Sequence, residues 1–386
     1  IPAMMRVTHI LEATGGGTGR HLEDLVCHLD PDRFELSVIC SLRREHRFRD
    51  TVRRMEDAGV RVQEVPMSRG IRPVADVRGW LQLRRALRTT QPAVVHTHSA
   101  KAGILGRFAA AAVHPRPRVV HTPHHFPFAM DVCAWRRKFY LALERRAAAV
   151  TDRIVCVCPS ERRTALGEGL LPADRIEVIQ NGIDLARFDE QCGRGGADMC
   201  GAVGESLDEP VLGTVGRLTR QKGLPYLLQA VPAVLESYPD LTVLVVGEGE
   251  ERSALEAQAR KLGIDAHCRF AGYREAPAAL YSLFDVFVLP SLWEGLPYAL
   301  LEAMAARCPV VATDTGGIAD VIEDDRTGIL VPRRSPADLA AGIVALLKQP
   351  ARRTELGAAA RRVVESHCRL TDMVSRTARL YEDLRG

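Results

Sequence analysis

The stretch Val211-Leu212-Gly213-Thr214-Val215-Gly216-Arg217-Leu218-Thr219-Arg220-Gln221-Lys222-Gly223-Leu224 decides the fold. A short apolar run stops at a glycine, two cations follow five residues apart, and a helical pattern begins. An apolar run without alternation is a strand covered on both faces, the condition of a parallel sheet. Arg217 and Lys222 then stand at the carboxyl end of that strand, beside a helix start. Cations at that position make an anion trap, and a diphosphate in a cleft of low dielectric needs such partners. The plainer alternative is a solvated surface pair, the usual state of Arg and Lys.

Outward from this stretch the alternation repeats in both directions. Upstream, β-branched runs occupy Arg6–Leu11, Phe34–Cys40, Arg61–Pro66, Ala93–His98, Arg118–Pro123, Arg153–Cys158 and Ile176–Gln180. Amphipathic segments such as Thr18–Leu29, Asp76–Thr89, Lys101–Ala112 and Trp135–Val150 lie between them. Downstream come Leu241–Gly247, Cys268–Gly272, Val286–Pro290, Val310–Thr313 and Ile329–Pro332, again separated by helical patterns. The two series are parted by Gln191–Pro210, which carries five glycines and no apolar period and reads as a linker or surface loop. The expectation is an α/β chain of two doubly wound, Rossmann-like domains facing across a cleft. Their bounds are 1–190, a Gly-rich linker 191–209, 210–367, and a C-terminal helix at 368–386 crossing back to the first domain. Open α/β sheets bind ligands beyond the carboxyl ends of their strands, so functional residues belong on the strand-to-helix loops.

Composition narrows the function. With 386 residues, 46% hydrophobic and 26% charged, the chain is globular, and its formal net charge of +4 is too small for a dedicated nucleic-acid binder. Aromatics at 5% argue against base-stacking platforms. No run approaches the roughly 18 apolar residues of a membrane span. Ile1 to Ile10 lacks the apolar core of a signal peptide. The 10 cysteines form no CxxC pair and read as reduced, mostly buried thiols of a cytoplasmic protein.

Two further stretches carry chemistry. Gly15-Gly16-Gly17-Thr18 joins the first strand to a helix, where bare backbone N–H groups can approach an anion. Its spacing is not that of a dinucleotide fingerprint, which disfavours an NAD(P) oxidoreductase, and a tight strand-to-helix turn is its other reading. Ser291-Leu292-Trp293-Glu294-Gly295-Leu296-Pro297-Tyr298-Ala299-Leu300-Leu301-Glu302 follows a buried strand. Pro297 suits the first turn of a helix. Glu302 then lies inside an apolar helix, a costly place for a carboxylate unless hydroxyls or cations satisfy it. A ribose diol could donate to both its oxygens; a capping or salt-bridged glutamate pair is the alternative.

These residues resemble the retaining GT-B glycosyltransferases of family 4. The resemblance rests on Gly213–Gly223 with Arg217 and Lys222, and on Glu294 followed by Glu302. Val246-Gly247-Glu248-Gly249, Phe270-Ala271-Gly272-Tyr273, Thr315-Gly316-Gly317 and Asn181-Gly182-Ile183-Asp184 also fit. It spans nearly the whole chain and implies the following roles. Arg217 and Lys222 hold the donor diphosphate with backbone N–H groups of Gly16, Gly17, Tyr298 and Ala299. Glu302 binds the ribose, Tyr273 and Arg274 lie by the base, and Gly295 and Leu296 line the donor site. Glu294 meets the transferred sugar and, with His124, forms the catalytic pair. In Val119-Val120-His121-Thr122-Pro123-His124-His125, His125 stands where the family commonly has glycine, so His121 and His125 remain alternatives to His124.

No cofactor and no metal is expected. Asp30-Pro31-Asp32 reads as a turn, and the histidines show no ligand spacing along the chain. Cations and helix dipoles would serve the leaving group instead. On the acceptor side, His98 and Lys101 could hold a phosphate. The helix with Trp135, Arg136, Arg137, Lys138 and Phe139 could lie on an anionic membrane surface at the inner face, or be an ordinary solvated helix.

The resulting expectation is a glycosyltransferase. It moves a hexose or N-acetylhexosamine from a nucleotide-diphosphate sugar, with UDP the expected carrier, to a hydroxyl of a glycan or lipid-linked cell-envelope acceptor. Rivals are a UDP-sugar 2-epimerase of the same fold, a transferase acting on a small natural-product aglycone, and a non-enzymatic sugar-nucleotide binder.

Overall fold

A computed structural model of the chain describes residues 4–43, 45, 47–194, 209–274 and 277–385, so most of the predicted linker 191–209 lies outside the described residues. The chain divides into two compact units, one of Ile1–Asn181 with Thr371–Gly386 and one of Gly182–Leu370.

The first unit holds a seven-stranded parallel sheet in the order β3-β2-β1-β4-β5-β6-β7. Its strands are β1 (Met5–Leu11), β2 (Phe34–Cys40), β3 (Arg61–Glu64), β4 (Val94–His98), β5 (Arg118–Thr122), β6 (Arg153–Cys156) and β7 (Ile176–Val178). β1 and β4 are buried along nearly their whole length, while the edge strand β3 shows Arg61, Gln63 and Glu64 to solvent. Polar residues on an edge strand deter pairing with another chain. Ile10, Val95 and Val119 pack under Leu83, Leu87, Ala102 and Ala109 of the helices Pro73–Thr90 and Ala100–Ala111. The strand order reverses between β1 and β4, where ligands of doubly wound sheets bind.

The last helix, Leu370–Asp383, belongs to this unit from Thr371 onward. Its Tyr381 is fully buried and places its hydroxyl 2.6 Å from His96 Nδ1.

The second unit holds a six-stranded parallel sheet in the order β10-β9-β8-β11-β12-β13. The strands are β8 (Val211–Val215), β9 (Thr242–Val246), β10 (Cys268–Gly272), β11 (Val286–Leu289), β12 (Val310–Thr313) and β13 (Ile329–Val331). Leu212, Val243, Val286, Val288 and Val311 form its core with Leu227, Val231, Leu339 and Ile343 from covering helices. Here the order reverses between β8 and β11.

One expected boundary moves. The sequence pattern predicts a first domain of 1–190, and in the structure Gly182 onward belongs to the second unit. Helix Leu185–Arg194 anchors there because Phe188 packs on Tyr281, with ring centroids 6.3 Å apart, and Asp189 takes two contacts of 2.7 and 2.8 Å from Arg361. The backbone of Ile183 also bonds to Cys368 and Leu370. No described helix is long and apolar enough to cross a membrane.

Candidate functional site

In the second unit three loops meet beyond the carboxyl ends of adjacent strands. After β8 the chain makes a 3₁₀ turn at Arg220–Lys222 and enters helix Leu224–Leu235 through Gly223, at φ 62°. A Cβ on Gly223 would lie 2.0 Å from the Pro290 carbonyl oxygen, so only glycine permits this approach. Leu292 N–H donates to Gln221 O at 2.8 Å, tying the β8 loop to the β11 loop. Gly316, at φ 50° against the Glu294 carbonyl, and Gly317 N–H on Gly295 O at 2.9 Å tie in the loop after β12.

These ties hold a buried carboxylate. Glu294 is 6% exposed. Its Oε1 receives Lys222 Nζ at 2.7 Å and Ser291 Oγ at 2.9 Å, and its Oε2 receives Gln221 Nε2 at 3.0 Å. A buried ion is tolerable only when its lone pairs are met by charge and by hydrogen bonds, as here. Arg217 is placed differently. Its guanidinium, 41% exposed, lies 4.0 Å from Glu250 Oε2. The two cations that the sequence pairs therefore face separate carboxylates.

Pro297 precedes helix Tyr298–Ala305 as its cap, not as its first helical residue, and its carbonyl accepts from Leu300 N–H at 3.1 Å. The first turn of a helix directs its N–H groups outward along the axis, here those of Tyr298 and Ala299. Glu302 is buried one turn on, and Tyr281 Oη donates to its Oε2 at 2.7 Å. Tyr273 is exposed, and Arg274 Nη1 donates to its carbonyl at 3.1 Å. Leu296 is buried beside Gly295.

In the first unit the order reversal collects histidines. Gly16, at φ 69°, caps helix Gly17–His28, which carries His21. Strands β1 and β4 supply His9, His96 and His98, all on one face of the sheet because register pairs His9 with His96 and alternate residues share a face. His9 Nδ1 lies 3.1 Å from His98 Nε2, and His98 Nδ1 lies 3.2 Å from His124 Nε2. His21 Nδ1 lies 2.9 Å from Asn181 Oδ1, and its ring stands edge-on to His124 with centroids 4.6 Å apart. Burial disfavours the imidazolium form, lowering His9 to about 3, His21 to about 4, and His96, His98 and His124 well below their ordinary value.

The three candidate histidines thus separate. His121 sits on the opposite sheet face, held by Thr97 Oγ1 at 2.9 Å and 3.7 Å from Glu144, which pairs with the buried Arg107 at 2.7 Å. His125 adopts φ 96°, in the left-handed region that favours glycine, and its N–H donates to the buried Glu161. His124 alone of the three stands with His21 and His98 at the β1–β4 reversal.

Two trios, His9–His96–His98 and His21–His98–His124, bring ligand-capable nitrogens within 4.8 Å of one another. The trios form across strands and a helix, so no spacing along the chain announces them. Both ring nitrogens of His98 are already engaged, by His9 and by His124, so an ion would have to displace one of those contacts. In Asp30-Pro31-Asp32, Asp30 Oδ1 accepts from Asp32 N–H at 2.9 Å, a turn contact.

The acceptor-side candidates do not come together. His98 is fully buried, and Lys101 Nζ is neutralised by both oxygens of Asp76 at 2.9 and 2.8 Å. Arg136 stacks 5.4 Å over the exposed Trp135 ring, and Arg137 reaches Glu168 at 3.3 Å.

The family description Glycosyltransferase Family 4 matches residues 15–187, and Glycosyl transferases group 1 matches residues 201–363. The chain is 32% identical over 288 residues to the UDP-Gal:alpha-D-GlcNAc-diphosphoundecaprenol alpha-1,3-galactosyltransferase of Escherichia coli, covering 71% of this chain and 72% of that protein. It is 28% identical over 296 residues to the putative glycosyltransferase EpsD of Bacillus subtilis, covering 76% and 77%. Its fold is shared with Anabaena Alr3699/HepE, solved in complex with UDP and glucose, at a TM-score of 0.80 and 18% identity over 98% of this chain and 100% of the other.

Proposed function

The chain belongs to the family 4 glycosyltransferases, with a group 1 glycosyl transferase domain in its second half, and on that premise we propose that it transfers a sugar from a UDP-sugar to a lipid-linked cell-envelope acceptor. The sugar is a hexose or N-acetylhexosamine, and its anomeric configuration is retained. The observation that carries the reading is the Lys222–Glu294 pair, braced by Gln221 and Ser291 at the β8–β11 reversal. In this reading Lys222 and Arg217 meet the diphosphate and Glu294 the sugar hydroxyls. The buried Glu302, oriented by Tyr281, takes the ribose, and Tyr273 and Arg274 flank the base. Gly295, Leu296 and the first-turn N–H groups of Tyr298 and Ala299 complete the donor half. In the first unit Gly16 and Gly17 open a helix N-terminus, and His124 is the active-site histidine.

The chemistry follows from the donors around Glu294. A carboxylate engaged by three donors is a weak nucleophile, so the reading is a front-face displacement. The acceptor oxygen bonds to the anomeric carbon, the bond from that carbon to the diphosphate oxygen breaks, and the acceptor proton passes to the leaving diphosphate. The charge it develops meets cations and helix N–H groups, with no metal required.

Support for UDP and for a lipid diphosphate acceptor comes from the names of the relative and of the structural neighbour given above. The basic, aromatic helix Ala134–Ala148 supports peripheral contact with an anionic membrane at its cytoplasmic face. The test is a thermal-shift screen of UDP-, GDP-, ADP- and TDP-sugars, followed by transfer of the stabilising sugar to polyprenyl-diphosphate acceptors. Stabilisation by UDP-sugars and acceptor-dependent transfer are expected. Epimerisation of UDP-GlcNAc without acceptor would replace this reading with the 2-epimerase.

A further inference from the structure

Exposed large apolar residues are few among those described, and four of them cluster: Ile71, Val74, Val77 and Leu81. Val74 is 69% exposed and Val77 58%. They lie at the entry and on the first turns of helix Pro73–Thr90, where positions 74, 77 and 81 share one face. Gly79, Leu83, Ala86 and Leu87 occupy the opposite, buried face, so the helix is already anchored and its outer apolar stripe serves no packing within the unit.

The same outer face changes character toward the helix C-terminus. Arg85 and Arg88 are exposed, and Arg84 lies beside them with its guanidinium 5.8 Å over the Trp80 ring. With Leu81 and Thr89 these arginines line a shallow hollow of about 530 Å³. The one acidic residue of the helix, Asp76, is taken by Lys101, leaving the face purely cationic. Helix Ala100–Ala111 packs between this helix and Ala134–Ala148. Right-handed crossovers put all three helices on one side of the sheet. Helix Ala134–Ala148, with Trp135, Arg136 and Lys138 exposed, therefore lies on the same side of the sheet as helix Pro73–Thr90.

A bare apolar stripe that runs into guanidinium groups without acids matches a bilayer surface. Side chains of Val and Leu reach the acyl boundary while cations meet head-group phosphates. A protein partner for such a face would have to be both apolar and strongly acidic. We propose that helix Pro73–Thr90 docks the protein on anionic phospholipid, with Ile71, Val74, Val77 and Leu81 entering the head-group boundary and Arg84, Arg85 and Arg88 holding lipid phosphates. This surface is distinct from helix Ala134–Ala148 and does not depend on the donor or acceptor assigned above.

The test is co-sedimentation of the full chain with phosphatidylcholine vesicles, with and without phosphatidylglycerol. Binding is expected only to the anionic vesicles and is weakened by salt. The double substitution Val74→Glu with Val77→Glu, and separately Arg85→Glu with Arg88→Glu, each weakens it at least about tenfold. All four positions are exposed, so the unfolding temperature stays with that of the parent, as does transfer to a water-soluble acceptor analogue. Binding that survives both double substitutions, or parent binding no tighter to anionic than to neutral vesicles, overturns the proposal. So does a dimer in vesicle-free solution that Val77→Glu disperses, because it assigns the stripe to a second copy. Failure of the transfer reaction would leave vesicle binding intact, so the two readings fail separately.

Discussion

Lys222 Nζ lies 2.7 Å from Glu294 Oε1, so the cation read as a diphosphate ligand and the carboxylate read as a sugar ligand form one ion pair. Both side chains are largely buried, at 15% and 7% exposure, so truncating either one takes away the other's buried counter-ion.

Lys222→Ala should therefore act twice, removing a charge-assisted contact to the donor and leaving Glu294 without its cation. A loss of about 1.5–3 kcal/mol corresponds to a fall in rate of roughly ten- to hundredfold. The double variant with Glu294→Gln should lose less than the product of the two single losses, because the pair is removed as a unit. Steady-state kinetics with saturating acceptor measures both, and turnover of Lys222→Ala within twofold of the parent counts against the assignment.

Glu302 and Tyr281 should show in nucleotide binding. Glu302→Ala is expected to weaken UDP itself by about tenfold or more, and Tyr281→Phe by less, since it loses the orienting hydroxyl and keeps the acceptor. Titration calorimetry with UDP decides this. Unchanged affinity in Glu302→Ala removes the residue from the site.

For His124 the expected signature is opposite. His124→Ala lowers turnover at least about tenfold while UDP affinity stays within twofold. His98→Asn should follow in the same direction with a smaller loss, because His98 Nδ1 fixes which nitrogen His124 presents. A fall in UDP affinity that accounts for the whole effect would make His124 a donor ligand only.

The histidine cluster also sets a pH limit. Burial lowers His9 to about 3 and His21 to about 4, and lowers His96, His98, His121 and His124 as well. A depressed folded-state value means stability present above the unfolded value near 6.5 and lost as pH falls toward the folded one. The unfolding temperature should hold from neutral pH down to about 6.5 and drop steeply below it. His9→Gln should flatten that drop; an unfolding temperature independent of pH between about 6.5 and 4.5 would show the cluster to be solvated.

Chelation tests whether either histidine trio holds an ion. Transfer is expected to be unchanged after EDTA treatment and gel filtration. Loss of activity restored by zinc, but not by the same zinc in His21→Ala, would assign an ion to His21, His98 and His124.

Much of this was legible in the sequence because parallel strands announce themselves. Val211–Val215 and Val286–Leu289 are continuous apolar runs, and their loops carry Lys222, Glu294 and Glu302 at fixed distances along the chain. What could not be read there depends on pairing between distant segments. Gln221 and Ser291 look like loop polars until the β8 and β11 loops are tied together. Tyr281, within a 3₁₀ segment, meets Glu302 across 21 residues. His9 and His21 join His98 and His124 only through strand register and the helix after Gly16. Lys101 looked available for a phosphate because Asp76, 25 residues away, is an ordinary helix residue by sequence. The boundary near 181 was hidden for a similar reason, since Phe188 and Asp189 find their partners far downstream.

The last helix completes a sheet whose strands were made long before it. Tyr381 closes over His96 but follows β7 far downstream in the chain, so a ribosome finishes β1 to β7 while that face is still open. The N-terminal lobe therefore stays incomplete until the whole second unit has been translated. A nonsense mutation or proteolytic clip ahead of Leu370 would therefore strike His96, which lies far upstream in the chain.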